Sequence, residues 1–228
     1  MDVASAIVKY NQQTLGRDKL CRSIQYGSRL VGYILQEYLS MKDWADRANV
    51  LDKHASTSRK LFRLGKSIDM LLGLIQAREI RHDSVLRTLI MCRRMTYILY
   101  YLIDHVTWAA RLGLFKSDPK AWSRFQARFW ALVLCFGILR NLHDLKTLIF
   151  PPAKKDEGGS CKTTSLERVM QRPDVVLDTV KNLADALLPF NVMGLIELNA
   201  GVAGVLGLTS SIAGALPLWY PSLKLKPS

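Results

Sequence analysis

Residues 200–220 run for 21 positions without a charged side chain, and no other stretch constrains the chain as strongly. At ~1.5 Å rise per residue a helix of that length reaches roughly 31 Å, close to the ~30 Å hydrocarbon thickness of a bilayer. In hydrocarbon every backbone N–H and C=O must be satisfied inside the segment, so a transmembrane helix is the expected form. Ala203, Gly207, Ser211 and Ala215 recur every four residues along it. Such a stripe of small side chains lets another helix approach closely in lipid, and the expectation is self-association into a homo-oligomer. Trp219 and Tyr220 stand at the position of an interfacial aromatic belt, and Lys224 and Lys226 follow. Positive-inside logic assigns that tail to the cytosolic side. A glycine-rich helix buried in a soluble core is the competing reading.

The second informative stretch is residues 17–39. At ~100° per residue, Leu20, Ile24, Gly27, Val31, Ile34, Leu35 and Tyr38 fall in one wedge about 100° wide, with Arg22, Gln25, Arg29 and Gln36 opposite. This amphipathic pattern suits a helix lying on a membrane. The candidate lipid-binding residues are Arg17, Lys19, Leu20, Arg22, Ile24, Arg29, Val31, Ile34 and Leu35. Apolar insertion is expected to contribute more than charge, with Lys19, Arg22 and Arg29 each adding about 1 kcal/mol beside an anionic leaflet. The same periodicity also fits a helix laid on a protein core.

The chain carries a formal net charge of +13, unevenly placed. Residues 1–128 hold 22 basic and 11 acidic side chains, whereas residues 129–228 hold 10 and 8. The basic half calls for an anionic partner. No zinc-finger spacing or RNP-type strand accompanies the charge, so anionic membrane lipid is expected and nucleic acid is not. Cys21, Cys92, Cys135 and Cys161 stand far apart, without the spacing of a zinc site or a disulfide framework. The start of the chain lacks the pattern of a secretory leader, and Lys226, Pro227 and Ser228 are not the Ser-Lys-Leu address.

Helix signals recur and strand alternation does not, so the expected fold is all-α: a membrane-associated bundle with amphipathic helices and a C-terminal transmembrane helix. Ser40 with Asp43 has capping-box spacing. Asp83 is placed to cap the helix that carries Val85 to Leu114, and Ser117 or Asp118 precedes Pro119 at a helix start. Residues 58–75 read as one helix, with Leu61, Leu64, Gly65, Ile68, Leu72 and Ile75 on one side and Arg59, Arg63 and Lys66 on the other. Met70 and Leu74 spoil the polar side, which favours a helix wedged between neighbours. The apolar runs 129–139, 95–103 and 187–196 are too short to span a bilayer and are candidate partial insertions. Pro151, Pro152 and the polar residues after them mark a linker over 151–172, dividing a basic region (1–150) from a C-terminal arm (173–228).

Chemistry-bearing motifs are scarce. His54, His82, His105 and His143 lack a metal-ligand partner at i+4, and the Asp104–His105 and His143–Asp144 neighbours point in different directions on a helix. There is no phosphate-binding glycine loop and no GxSxG elbow. The reading is therefore of a protein that is not an enzyme, with no cofactor and no metal.

The segments YNQQTLGRDKLCRSIQYGSRLVGYIL (10–35), SRKLFRLGK (58–66), DHVTWAARLGLF (104–115), LDTVKNLADALLPFN (177–191) and GLTSSIAGALPLWYPSLKLK (207–226) carry a resemblance nearly end to end. In combination they resemble the peroxisomal membrane protein 11 family, the membrane-elongating peroxins, and most of all its animal alpha and beta branch. The resemblance implies an integral peroxisomal membrane protein with cytosolic termini that self-associates, tubulates the membrane and promotes peroxisome division. It implies tail-anchored fission factors and a dynamin-related GTPase as partners, and it maps the family's amphipathic element onto residues 17–39. Two other classes compete with direct bending: an oligomeric pore for small metabolites, with Asp104 and Glu197 as the charges to watch, and an adaptor that only recruits the GTPase.

Overall fold

Several helices start where the sequence supplies an acceptor for the first unpaired backbone N–H groups. The computed structural model describes residues 2–81, 83–150 and 164–225. Among these the order is α1 (Val3–Gln12), α2 (Thr14–Glu37), α3 (Lys42–Phe62), α4 (Lys66–Ala77), α5 (Ser84–Arg111), α6 (Pro119–Ile149), α7 (Ser165–Met170), α8 (Pro173–Asp185), α9 (Leu188–Met193) and α10 (Ala200–Trp219), then a 3-10 turn at Pro221–Leu223. No strand occurs among the described residues, and the all-α expectation holds. Asp83 accepts from the Leu86 N–H at 2.9 Å, Asp118 from Lys120 and Ala121 at 2.8 and 3.1 Å, and Asn199 from Val202 at 2.7 Å. Pro119 occupies the first turn of α6, where its missing N–H leaves nothing unsatisfied.

Two expectations about helix limits need correction. The Ser40–Asp43 capping box does not form: Met41 is the N-cap, and Ser40 sits at φ 53° in the tight turn joining α2 to α3. Residues 58–75 are two helices, because Gly65 takes φ 79°, which an L side chain rarely adopts, and so ends one helix and starts the next. The apolar runs 95–103 and 129–139 are the middles of longer helices, α5 and α6, of 28 and 31 residues. At ~1.5 Å per residue these helices reach about 42 and 46 Å.

α2 and α3 form a helical hairpin, α10 lies along α2, α5 pairs with α6, α4 packs on α5, and α8 sits against both α10 and α6. Gly201, Gly204 and Gly207 of α10 face Tyr33, Leu30 and Tyr26 of α2 in turn, so the two helices run antiparallel. The approach is close: a Cβ at Gly204 would lie 2.8 Å from the Leu30 Cβ. The C-terminal arm is therefore packed into the same bundle as the basic region. Of the expected linker, 151–163 lies outside the described residues; Ser165–Met170 is α7, with Glu167 accepting from the Thr164 N–H at 3.0 Å.

Candidate functional site: an apolar exterior around a charged interior

On α2 the polarity of an ordinary soluble helix is inverted. Asp18, Arg22 and Gln25 are 5%, 7% and 6% exposed, while Leu20, Ile24, Val31 and Ile34 are 39–49% exposed. Leu35 is half-buried. Beyond α2 the pattern repeats. Leu61 of α3, Ile68, Leu71, Leu72 and Ile75 of α4, Leu99 of α5, Leu132 and Leu139 of α6, and Val202, Val205 and Ile212 of α10 are all exposed. For α4 this corrects the expectation of a helix wedged between neighbours, since its apolar stripe is uncovered. An exposed apolar surface of this extent marks an interaction with lipid or with another protein.

The interior is held by charges. Arg22 pairs with Asp185, tying α2 to α8. Asp18 accepts from Arg59 and Arg63 of α3 at 3.3 and 2.9 Å, and Arg59 also donates to Gln25 at 2.7 Å. Asp104, fully enclosed on α5, holds Lys60 and lies 3.5 Å from Arg63, while Gln126 of α6 donates to it at 2.6 Å. Arg63 also donates to the Tyr100 hydroxyl at 3.1 Å. Arg29 makes a two-pronged pair with Asp52 at 2.8 and 3.2 Å. Withdrawing such ions from water is costly, so the pairs persist because each charge has a counter-charge and hydrogen bonds. Apolar clusters are small: Tyr26, Leu188 and Ala203 form one, and Ala77, Leu86 and Ile90 another.

This arrangement changes the part assigned to the basic residues. Arg17 is exposed and donates to the Asn11 carbonyl at 2.7 Å, and Lys19 and Arg29 are half-buried. Arg22 points into the bundle and not toward headgroups, because Asp185 meets it there. The α10 stripe also has its partner within the chain: Ala203, Gly207 and Ser211 are buried, with Gly207 against Tyr26 of α2. Ala215 is half-buried. Asp104 is interior, whereas Glu197 is exposed. Nothing in the local sequence singles out Asp18, Lys60, Gln126 and Asp185, although the i, i+4 spacing of Arg59 and Arg63 opposite an apolar stripe is visible in it.

Two cavities lie in this interior. The first, about 290 Å³, is walled by α2, α3, α5, α6 and α8; the second, about 610 Å³, adjoins α4, α8 and α10 and reaches Lys224. Lys19, Tyr97, Tyr101 and Lys181 line both. Among the described residues no cluster of three or more His, Cys, Asp or Glu side chains forms a metal site. The His105 ring lies 3.2 Å from the Arg63 carbonyl and the His143 ring 3.3 Å from Asp83; His82 and Cys161 lie outside the described residues.

α10 is the one helix among the described residues long and apolar enough to cross a membrane. Residues 4–219 match the model of the family described as peroxisomal biogenesis factor 11. The chain is 30% identical to the peroxisomal membrane protein 11B of Homo sapiens over 97% of its length and 99% of that protein's. It is 30% identical to the peroxisomal membrane protein 11A of Mus musculus, over 97% and 98%. A homologue from Dictyostelium discoideum is 21% identical over 94% of this chain. No solved structure matches. An apolar exterior, a spanning-length helix and this near-complete match agree: the chain belongs to the peroxisomal biogenesis factor 11 family and is a protein of the peroxisomal membrane.

Proposed function

We propose that this protein bends and elongates the peroxisomal membrane and thereby promotes peroxisome proliferation and division. The observation that carries the reading is the inverted polarity of α2: its apolar stripe is outside and its charges are inside the bundle. A helix whose apolar face sinks about 5–10 Å into one leaflet widens that leaflet relative to the other. Each exposed apolar side chain contributes on the order of 1 kcal/mol on insertion, from ~25 cal/mol per Å². Backbone ordering, about 1–2 kcal/mol per residue, would oppose an unfolded peptide. Here α3 and α10 already hold α2 as a helix, so folding has met that cost before insertion. Apolar burial dominates, and the interior pair with Asp185 keeps Arg22 away from the outer face of the bundle. Both termini face the cytosol, copies self-associate, and tail-anchored fission factors recruit a dynamin-related GTPase to the elongated membrane.

The test is tubulation of anionic liposomes by the full-length protein without partners. Ile24→Glu with Val31→Glu places two charges on the outer stripe, away from the interior pairs, and is expected to abolish tubulation while helicity is retained. Tubulation equal to that of the unmodified chain rejects the mechanism; absence of tubulation by the unmodified chain favours a pure adaptor.

A second reading is supported by the charged cavities beneath an apolar exterior: an oligomeric pore for small metabolites. Intramembrane charges at such a density mark substrate or ion paths. Its mark is stepwise conductance in planar bilayers at low protein density, which a membrane-bending protein lacks.

A further inference from the structure

The first cavity has a charge imbalance that the interior ion pairs leave unresolved. Eight Lys and Arg side chains line it against two carboxylates, Asp18 and Asp185. Asp52, Asp104 and Asp178 pair with wall cations from behind, which still leaves an excess of three positive charges. Lys19 is the clearest member of that excess: no carboxylate stands within ion-pair distance of its ammonium among the described residues. The Arg22 Nε beside it is buried without a hydrogen-bond partner. Lys19 and Lys181, which line both cavities, converge over Gly214 of α10 on the side of the second, where a Cβ would lie 2.7 Å from the Lys19 Nζ and 3.5 Å from the Lys181 Cδ. The missing side chain at Gly214 therefore makes room for an ammonium held against the helix.

Like charges gathered in a low-dielectric interior repel strongly unless an anion sits among them. A cavity of about 290 Å³ exceeds the needs of one chloride, since a water takes about 30 Å³. Lysine offers a point charge and arginine a planar fork, the pair of donors that suits a group with several charged oxygens. Tyr97 and Tyr101 add a phenolic wall. We propose that this cavity binds a phosphate-bearing anion, with Lys19 as its central contact and Arg22 and Lys181 flanking it. The phosphate belongs either to a soluble ligand or to a lipid headgroup drawn in from the surrounding leaflet, and the two share the same chemistry.

The experiment uses the full-length protein in phosphatidylcholine nanodiscs, titrated with pyrophosphate at constant ionic strength and followed by calorimetry and thermal unfolding. Saturable binding with a raised Tm is expected, weakened about tenfold or more by Lys19→Gln and kept within about threefold by Lys19→Arg. Because Lys19 lacks a counter-charge, Lys19→Gln without ligand is expected to unfold no earlier than the unmodified chain, which separates lost binding from lost folding. Lys53→Gln, at an exposed position, is the control and leaves binding unchanged. In a second arm, native mass spectrometry follows phosphatidic acid added to delipidated protein. Retention by the unmodified chain, loss in Lys19→Gln and displacement by pyrophosphate identify the headgroup as the source; pyrophosphate binding without phosphatidic acid retention identifies a soluble phosphate. If chloride stabilises as well as pyrophosphate does, or if Lys19→Gln binds both probes like the unmodified chain, the proposal is overturned.

Discussion

Arg22 and Asp185 illustrate how single residues hold this fold together. Their pair joins the second helix to the eighth across 163 residues of sequence, with both side chains almost fully enclosed. Removing one partner leaves an uncompensated buried charge, so Asp185→Ala is expected to destabilise the protein by about 3–5 kcal/mol, read from thermal unfolding in detergent. Arg22→Met combined with Asp185→Leu is expected to recover much of that loss, because the desolvation penalty disappears with both charges. At Gly207 the constraint is space. A leucine there meets the Tyr26 ring, and Gly207→Leu is expected to cost about 1–3 kcal/mol by forcing α10 away from α2. Its effect is read as a lowered Tm of the isolated protein at any protein concentration, which distinguishes it from a loss of association between copies.

At the scale of elements, caps and stripes act separately. Asp118 closes the first turn of α6 through two backbone N–H groups, and Asp118→Ala is expected to cost about 1 kcal/mol without changing membrane behaviour. α2 shows the reverse dependence: its outer stripe contributes little to packing within the chain, so charges at Ile24 and Val31 alter lipid contact far more than stability. The end of α3 and the whole of α4 read as one helix in the sequence because their apolar positions keep step from Leu61 to Ile75. Gly65 breaks the backbone while leaving that side outward, so the stripe is legible even though the break is not. The apolar runs in α5 and α6 likewise show only part of each helix. Composition marks where a helix is greasy; its ends are set by caps and by the partner it lies against.

For the whole molecule, an apolar surface around a charged interior is the arrangement that the proposed contact with acyl chains requires. Replacing Val202, Val205 and Ile212, all outward on α10, with asparagine is expected to release the protein from membranes under alkaline carbonate extraction while circular dichroism shows unchanged helicity. Retention of this variant in the pellet shows that another surface anchors the chain.

Residue pattern alone determined that the chain is helical, that residues 17–39 and 58–75 carry apolar stripes, that 200–220 has spanning length, and that helices start at Asp83 and at Ser117 or Asp118. Those properties depend on neighbours within a turn or two along the chain. Which way each stripe faces was decided only by tertiary structure, because a 3.6-residue period is the same whether its apolar side meets a core or a membrane. The partner of the α10 small-residue stripe was undetermined for the same reason: a groove specifies close approach, and only the folded chain places Tyr26, Leu30 and Tyr33 within reach of it. The interior contacts between helices join residues separated by 22 to 163 positions, a distance over which local periodicity carries no information.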